Sequence, residues 1–203
     1  MTDWREKTTW YTYETTFTRL AKIYIGALLY ALATVECEGF EHMPVSGPCI
    51  VASNHFSLWD VTYMGLCLPR YPHFMAKREL YKNPIFAWIF RQLGSFPVYR
   101  GEGDTWALAQ AGRVLAAGQP LFMFPEGTRG KHKAELKQGK AGVVKLALQH
   151  QAPIVPAAIW GTEEFKIGWK RNKIYIHTGE PLDMVKMAGA PPYKREIARE
   201  LTT

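Results

Sequence analysis

The chain has 203 residues, of which 47% are hydrophobic and 21% charged, a composition that fits one compact domain. Its 25 lysines and arginines against 18 acidic residues give a net charge of +7, which favours nucleic acid or an anionic membrane as a partner. The three cysteines, at positions 37, 49 and 67, exclude a disulfide-rich scaffold and indicate a reducing compartment.

The first 35 residues differ from the rest of the chain. Aromatic side chains crowd their beginning, and an apolar run occupies residues 23–35. A helix that crosses a bilayer needs about 20 apolar residues, so this run is too short to span. Arg19 and Lys22 precede it, as is typical of a helix that lies in the membrane interface. We therefore predict a membrane-associating amphipathic helix within residues 1–35 and one further domain over residues 36–203.

Two alternatives to this anchor remain open at this point. The first is that the helix is simply the first element packed on the core. The second is a secretory signal, because Ala31-Leu-Ala33 resembles a cleavage site, although the acidic residues Asp3, Glu6 and Glu14 are atypical of such a leader.

After residue 35, candidate strands and helices alternate, which predicts an α/β fold with a mostly parallel sheet flanked by helices. The expected strands are 48–53, 73–76, 94–99, 120–124, 154–159 and 173–178. The expected helices are 57–68, 79–92, 104–117, 139–150 and 193–201, with a bend at Asn83-Pro84 near the start of the second. Gly118 has the position of a helix C-cap. The wide spacing of proline and glycine argues against tight hairpins.

The segment from residue 54 to residue 60 pairs a histidine with a carboxylate. Five residues of helix place two side chains about 140° apart, so His55 and Asp60 cannot share one helix face. The sequence Ser57-Leu-Trp-Asp60 matches a capping pattern, which would start a helix at Ser57 and leave His55 on the preceding turn. His55 could then fold back towards Asp60 as a general base with its orienting carboxylate. The alternative is that Asp60 only caps the helix and His55 is incidental.

A second segment, Phe124-Pro-Glu-Gly-Thr-Arg129, combines turn residues with a guanidinium. Gly127 permits a turn or a close approach to ligand, and Arg129 offers a planar fork of donors suited to phosphate. Glu126 would repel a phosphate, so it is expected to orient Arg129 or to bind an acceptor hydroxyl. Taken alone, this string could also be a surface turn.

Both segments follow short apolar runs, at 49–52 and 121–124, and are therefore expected at the same edge of a sheet. The stretch that begins at Arg129 is strongly basic, and beside an apolar helix it indicates an anionic lipid surface. Its cations are Arg129, Lys131, Lys133, Lys137, Lys140 and Lys145.

Taken together, these residues resemble the glycerolipid acyltransferase family, in particular its bacterial 1-acyl-sn-glycerol-3-phosphate acyltransferases. His55-x4-Asp60 matches the first family motif, and Gly94-Ser-Phe-Pro-Val-Tyr-Arg100 the second. Phe124-Pro-Glu-Gly-Thr-Arg129 matches the third and Ile154-Val-Pro-Ala157 the fourth. Four motifs in the right order make the resemblance specific from about residue 35 onwards.

The resemblance implies a role for each matching residue. His55 is expected to be the general base and Asp60 its orienting residue. Phosphate binding is expected from Arg100 and Arg129, and Pro156 is expected near the acyl chain. The remaining expected substrate-binding residues are Lys77, Glu126, Gly127 and Thr128.

The implied reaction transfers an acyl group from acyl-CoA or acyl carrier protein to lysophosphatidate, giving phosphatidic acid at the cytoplasmic face of the cell membrane. No metal or cofactor is expected, since the chain lacks H-E-x-x-H, C-x-x-C and Walker patterns. The absence of a G-x-S-x-G pattern argues against a serine acyl-enzyme intermediate. Another lysolipid, an aminolipid or a glycolipid is an alternative acceptor. A noncatalytic module that binds anionic lipid or nucleic acid is a distant alternative; nucleic acid is disfavoured because the aromatics cluster beside an apolar helix.

Overall fold

Seven strands form one sheet in a computed structural model that describes residues 3–99, 103–130, 138–167 and 171–189. The order across the sheet is β1-β7-β6-β2-β5-β3-β4. The strands are β1 (Ala33–Glu38), β2 (Cys49–Ser53), β3 (His73–Lys77), β4 (Ser95–Val98), β5 (Pro120–Met123), β6 (Ile154–Trp160) and β7 (Asn172–Thr178).

All neighbouring strands are parallel except β6 and β7, which are antiparallel. This confirms the predicted mostly parallel α/β fold. The antiparallel pair is joined by residues 161–171, a connection too long for a tight hairpin. Each of the six predicted strands is present, with bounds that shift by no more than one residue at either end.

The helices of the described residues are α1 (Thr16–Leu32), α2 (Trp59–Cys67), α3 (Pro84–Gln92), α4 (Thr105–Ala116), α5 (Gly142–His150) and α6 (Met184–Ala188). The prediction of one helix over 79–92 was wrong: a 3₁₀ turn (Arg78–Tyr81) comes first, and Asn83 then caps a new helix whose first residue is Pro84. The predicted helix 139–150 begins only at Gly142. The predicted helix 193–201 lies outside the described residues.

The C-terminal end of α4 follows the prediction. Gly118 adopts a φ of 71°, and its N–H donates to the Leu115 carbonyl at 2.9 Å. The next N–H, of Gln119, donates to Val114 at 3.2 Å. These bonds satisfy carbonyls at the end of the helix and turn the chain into β5.

Strand β1 was missed by the sequence analysis. The apolar run 23–35 changes from helix to strand at Ala33, and β1 pairs in parallel register with β7 over its whole length. Its side chains alternate between buried or half-buried and exposed, the period of a strand. Val35 therefore belongs to the sheet, because pairing with a distant strand overrides a local pattern that would extend the helix.

Helix α1 combines a narrow buried face with a broad exposed apolar face. Thr18, Ala21, Gly26 and Leu29 are buried against the domain. The large exposed apolar side chains on the rest of the helix are Leu20, Ile23, Tyr24, Ile25, Leu28 and Tyr30. Within the described part of the chain, no helix has the length and apolarity that crossing a membrane requires.

The segment before α1 packs onto the domain. Arg5 is buried in a 3₁₀ turn (Trp4–Lys7), and its guanidinium lies 2.5 Å from the Asp104 carboxylate. Trp10 makes edge-to-face contacts with Tyr81 and Trp106. Some of the N-terminal aromatic side chains that the sequence grouped with a membrane anchor therefore contact the sheet domain.

The core divides into two clusters, one on each face of the sheet. In β2, Cys49 and Val51 belong to the cluster that includes Leu29 of α1 and Tyr63 of α2. Ile50 points the other way, into the cluster formed with α4 and α5. Because both faces of β2 are covered, the central strand is apolar throughout, as expected of a buried parallel strand.

Candidate active site

The first and third motifs lie side by side at one edge of the sheet. Strands β2 and β5 are parallel neighbours in which Ala52 is in register with Met123. The chain therefore leaves both strands at the same edge, and the loops that follow carry His55 and Glu126. This adjacency confirms the expectation that the two motifs lie at the same edge of the sheet.

His55 folds back onto Asp60. The imidazole Nδ1 lies 2.9 Å from the Asp60 Oδ2 atom, and both side chains are buried. The same carboxylate oxygen accepts hydrogen bonds from the backbone N–H groups of Phe56 and Ser57, each at 2.8 Å. The carboxylate thus fixes both the imidazole and the turn that carries it.

The hydrogen bond also selects a tautomer. An ionised carboxylate can only accept, so Nδ1 of His55 must carry the proton. Nε2 is then left with its lone pair, which can accept a proton from a substrate. This is the arrangement that a general base requires.

Helix α2 starts later than predicted. It begins at Trp59, not at Ser57, although the Ser57 hydroxyl still accepts from the Trp59 N–H at 3.3 Å. Residues 57 and 58 lie in the turn before the helix, where the Ser57 N–H donates to the Asp60 carboxylate at 2.8 Å, as in the predicted capping pattern. The prediction that His55 lies on a preceding turn is confirmed.

Two residues that support this turn were not identified as partners from the sequence. The Thr162 hydroxyl donates to the second Asp60 oxygen, and Thr162 is itself buried. The Asn54 side chain exchanges two hydrogen bonds with the backbone of Ile159, at 2.7 and 2.8 Å. Thr162 follows the end of β6 at the same edge of the sheet, so the rule used for the other two loops also points to it.

Phe124 covers the face of the imidazole. The rings of Phe124 and His55 stack with their centroids 3.7 Å apart and an angle of 15° between planes. The Gly130 N–H donates to the His55 carbonyl at 2.8 Å, which ties the far end of the loop to the same residue. The third motif therefore shapes the surroundings of His55 in addition to presenting its own polar groups.

Within this loop, Glu126 is buried, whereas Thr128 and Arg129 are exposed. Glu126 is 7% exposed, and neither of its carboxylate oxygens accepts a hydrogen bond from any residue that the structure describes. Gly127 has a φ of 69°, and its N–H donates to the Phe124 carbonyl at 3.0 Å. The glycine is needed for this backbone turn.

The other predicted substrate-binding residues lie on β3, on β6 or outside the described residues. Lys77 ends β3 at the site edge and lies 3.6 Å from the Glu79 carboxylate. Pro156 lies within β6, in register with Ala52, and accepts a hydrogen bond from Gly179 at 2.8 Å. Arg100 lies outside the described residues. Over the described ranges, no three His, Cys, Asp or Glu side chains converge in a way that would hold a metal ion.

A cavity of about 270 Å³ adjoins the third motif. Its walls are mainly apolar side chains from β3, β5, α4 and α5, among them Met75, Leu108, Met123 and Val143. Phe124, the residue stacked on His55, forms part of the wall, so one aromatic ring contacts both the cavity and the imidazole. Such an apolar space beside a few polar groups is typical of a ligand site.

Comparison with known proteins agrees with this geometry. The family model described as Acyltransferase matches residues 34–160. A 1-acyl-sn-glycerol-3-phosphate acyltransferase of Bacillus subtilis (strain 168) is 31% identical over 165 residues, covering 81% of each chain. One of the same name from Streptococcus pneumoniae (strain ATCC BAA-255 / R6) is 33% identical over 137 residues, 66% of this chain and 50% of the relative.

A solved structure is also similar. It is the 1-acyl-sn-glycerophosphate (LPA) acyltransferase PlsC from Thermotoga maritima, with a TM-score of 0.70 and 26% sequence identity. The match covers 91% of this chain and 76% of that one. The family match, the relatives and the shared fold agree with one another, and the chain belongs to the acyltransferase family, as an O-acyltransferase enzyme of phospholipid biosynthesis.

Proposed function

We propose that this enzyme transfers a fatty acyl group from acyl-CoA or acyl carrier protein to the free hydroxyl of 1-acyl-glycerol-3-phosphate, forming phosphatidic acid. The proposal takes its acceptor from the names of the relatives. The single observation that carries the chemistry is the 2.9 Å contact between His55 and Asp60, which leaves Nε2 as a proton acceptor.

The reaction requires no covalent enzyme intermediate, because a thioester carbonyl is already activated. The acceptor hydroxyl gives its proton to Nε2 of His55 as its oxygen attacks the thioester carbon. The carbon–sulfur bond then breaks, and the thiolate takes the proton back from the imidazolium. Asp60 stabilises the imidazolium in between, since its buried charge lies next to Nδ1.

The acceptor needs contacts for its phosphate and for its glycerol. Arg129, Arg100 and Lys77 are the proposed phosphate ligands, and the exposed positions of Arg129 and Lys77 leave them accessible to a substrate. A buried carboxylate without a partner is costly, so Glu126 is suited to accept a hydrogen bond from the glycerol backbone. Thr128 and the Gly127 backbone complete the proposed loop contacts.

The apolar cavity beside Phe124 is the proposed place for an acyl chain. Its walls are mainly apolar, and Phe124 lines it while stacking on the proposed base His55. The family resemblance puts Pro156 near the acyl chain, yet Pro156 does not line this cavity. Its proposed role is therefore to shape β6 beside the Asn54 turn.

The lipid acceptor and the product reside in a membrane, and the exposed apolar face of α1 supports peripheral attachment to it. The net charge of +7 favours an anionic lipid surface, and the cytoplasmic leaflet is the proposed location. Nothing in this proposal requires a metal, a cofactor or nucleic acid.

The test is acyl transfer by the purified protein. Labelled acyl-CoA or acyl carrier protein is supplied with lysophosphatidate, lysophosphatidylcholine, an aminolipid and a glycolipid, and products are identified by mass. We expect phosphatidic acid as the main product, and its loss in His55→Ala. Preference for another acceptor would reassign the substrate, and unchanged turnover in His55→Ala would reject the proposed base.

A further inference from the structure

Lys140 lies beside the third motif although it is 11 positions beyond Arg129 in the chain. The sequence groups it with a basic, solvated stretch. In the structure, its backbone N–H donates to the Pro125 carbonyl at 2.9 Å, just before α5 begins at Gly142. This hydrogen bond holds Lys140 against the loop that carries Glu126 and Arg129.

The side chain of Lys140 runs across Gly127. A β-carbon built on Gly127 would lie 2.9 Å from the Lys140 Nζ and 3.0 Å from its Cε. The missing side chain of the glycine is therefore what allows the lysine to lie on the loop. Lys140 also lines the apolar cavity, together with Gly127 and Phe124.

Among the residues that the structure describes, no carboxylate pairs with the Lys140 ammonium group. Asp104 also lines the cavity, but its carboxylate pairs with Arg5 at 2.5 Å and accepts from two backbone N–H groups. Burial acts to raise the pKa of Asp104, and the bonds from Arg5 outweigh it and lower the pKa. Among the described residues, no carboxylate lies within 4.0 Å of the Lys140 ammonium group.

From this placement we infer that Lys140 is a further binding residue, whose ammonium group contacts the phosphate monoester of the acceptor. This inference rests on the proposed function and names a contact that the sequence motifs do not include. Phosphate is the ligand chemistry that suits an unpaired ammonium group next to a loop with a guanidinium.

Two substrates could supply such a phosphate: the lysophosphatidate acceptor and the coenzyme A donor. In lysophosphatidate, the phosphorylated carbon is next to the carbon that bears the reacting hydroxyl. In acyl-CoA, the long pantetheine arm separates the phosphates from the thioester. Lys140 lies against the loop in which Phe124 stacks on the His55 ring and Gly130 donates to the His55 carbonyl. The acceptor phosphate, which is close to the reacting hydroxyl, therefore fits the position of Lys140.

The experiment compares wild type, Lys140→Met, Lys140→Arg and a matched control, Lys173→Met, an exposed lysine on β7. KM is measured separately for lysophosphatidate, acyl-CoA and acyl carrier protein in neutral detergent micelles. For Lys140→Met we expect KM for lysophosphatidate to rise about tenfold, since a charge-assisted contact at an exposed site is lost. KM for either donor should not change, Lys140→Arg should recover most of the affinity, and Lys173→Met should match wild type.

A binding arm keeps the test independent of turnover. Glycerol 3-phosphate, a soluble phosphate monoester, should raise the melting temperature of wild type and of Lys173→Met more than that of Lys140→Met. If wild type transfers no acyl group to lysophosphatidate, the proposed function fails, and this arm still decides the role of Lys140. An effect on KM for acyl-CoA alone, a loss of kcat with unchanged KM, or equal protection of all variants by glycerol 3-phosphate would overturn the inference.

Discussion

Asp60 combines a structural role and a proposed chemical role in one carboxylate. One oxygen accepts from His55 and from two backbone N–H groups, and the other accepts from Thr162. A simple helix cap would need only the backbone contacts. The two roles can therefore be separated by changing the charge and the hydrogen bonds independently.

Asp60→Asn should separate them. The amide oxygen can replace the carboxylate oxygen towards His55 and the backbone, while the NH₂ group donates to the Thr162 hydroxyl. The free energy of unfolding should change little, whereas kcat should fall by about 100-fold or more because the imidazolium loses its counter-charge. Turnover and urea denaturation measure the two quantities.

Asp60→Ala is the contrasting variant. It leaves several buried donors without an acceptor, so it should lower the free energy of unfolding by about 3 kcal/mol or more. Near-normal turnover in Asp60→Asn would leave helix capping as the function of this carboxylate.

At the scale of the element, helix α1 has a buried face that packs on the core and an exposed face that is proposed to contact the membrane. Leu29 is buried in the core, and Ala33 begins the strand that pairs with β7. Removal of residues 1–35 would therefore disrupt the sheet as well as any membrane contact. Point substitutions on the exposed face test attachment without this damage.

Ile23 and Leu28 are 63% and 58% exposed, and the double change to Gln should weaken binding to anionic vesicles by at least about tenfold. The reason is that two apolar side chains would no longer enter the interface. Cosedimentation with vesicles gives the affinity, and circular dichroism checks the fold. Val45→Gln is the control, since Val45 is 94% exposed but lies outside α1.

Equal vesicle binding by the double variant and the control would show that α1 does not attach the protein. The same preparation can report topology. Protection of an N-terminal tag from protease, with the domain accessible on the other side, would contradict attachment without spanning.

At the scale of the whole molecule, His73 makes stability sensitive to acid. It begins β3, is 1% exposed, and neither ring nitrogen has a hydrogen-bond partner of good geometry among the described residues. Burial outweighs the nearby backbone carbonyls of Pro120 and Tyr13 and lowers the pKa of His73 to about 4. The folded state therefore holds this ring neutral at pH values where the unfolded chain protonates it.

Because the folded pKa is below the unfolded value of about 6.5, the unfolded state binds the extra proton in this window. Stability is complete above the unfolded pKa and is lost as pH falls through the window towards 4. Between pH 7 and pH 5 the loss from His73 should be about 2 kcal/mol. Denaturation of wild type and His73→Phe at both pH values measures it.

The quantity to compare is the difference in free energy of unfolding between wild type and His73→Phe, because the carboxylates contribute equally in both proteins. His73→Phe should become more stable relative to wild type as the pH falls. A difference that does not depend on pH would mean that His73 protonates in the folded protein as easily as in the unfolded chain.

The features that the sequence predicted best are those that depend on local patterns along the chain. Alternating apolar and helical segments identified six of the seven strands, because a buried parallel strand must be apolar on both faces. The motif loops were identified because chemistry follows the carboxyl ends of such strands. The geometric constraint on His55 and Asp60 was also readable from the sequence, since helix periodicity alone excludes a shared face.

Contacts between residues far apart in the chain could be identified only from the folded structure. Strand β1 exists because β7 pairs with it, and the stack of Phe124 on His55 joins two loops that local patterns leave unconnected. Thr162 bonds Asp60 across more than 100 positions, and Lys140 reaches Gly127 from outside the motif. By itself, the sequence determined which groups could react, because reactivity is a property of the residue, whereas their surroundings depend on how distant strands and loops pack together.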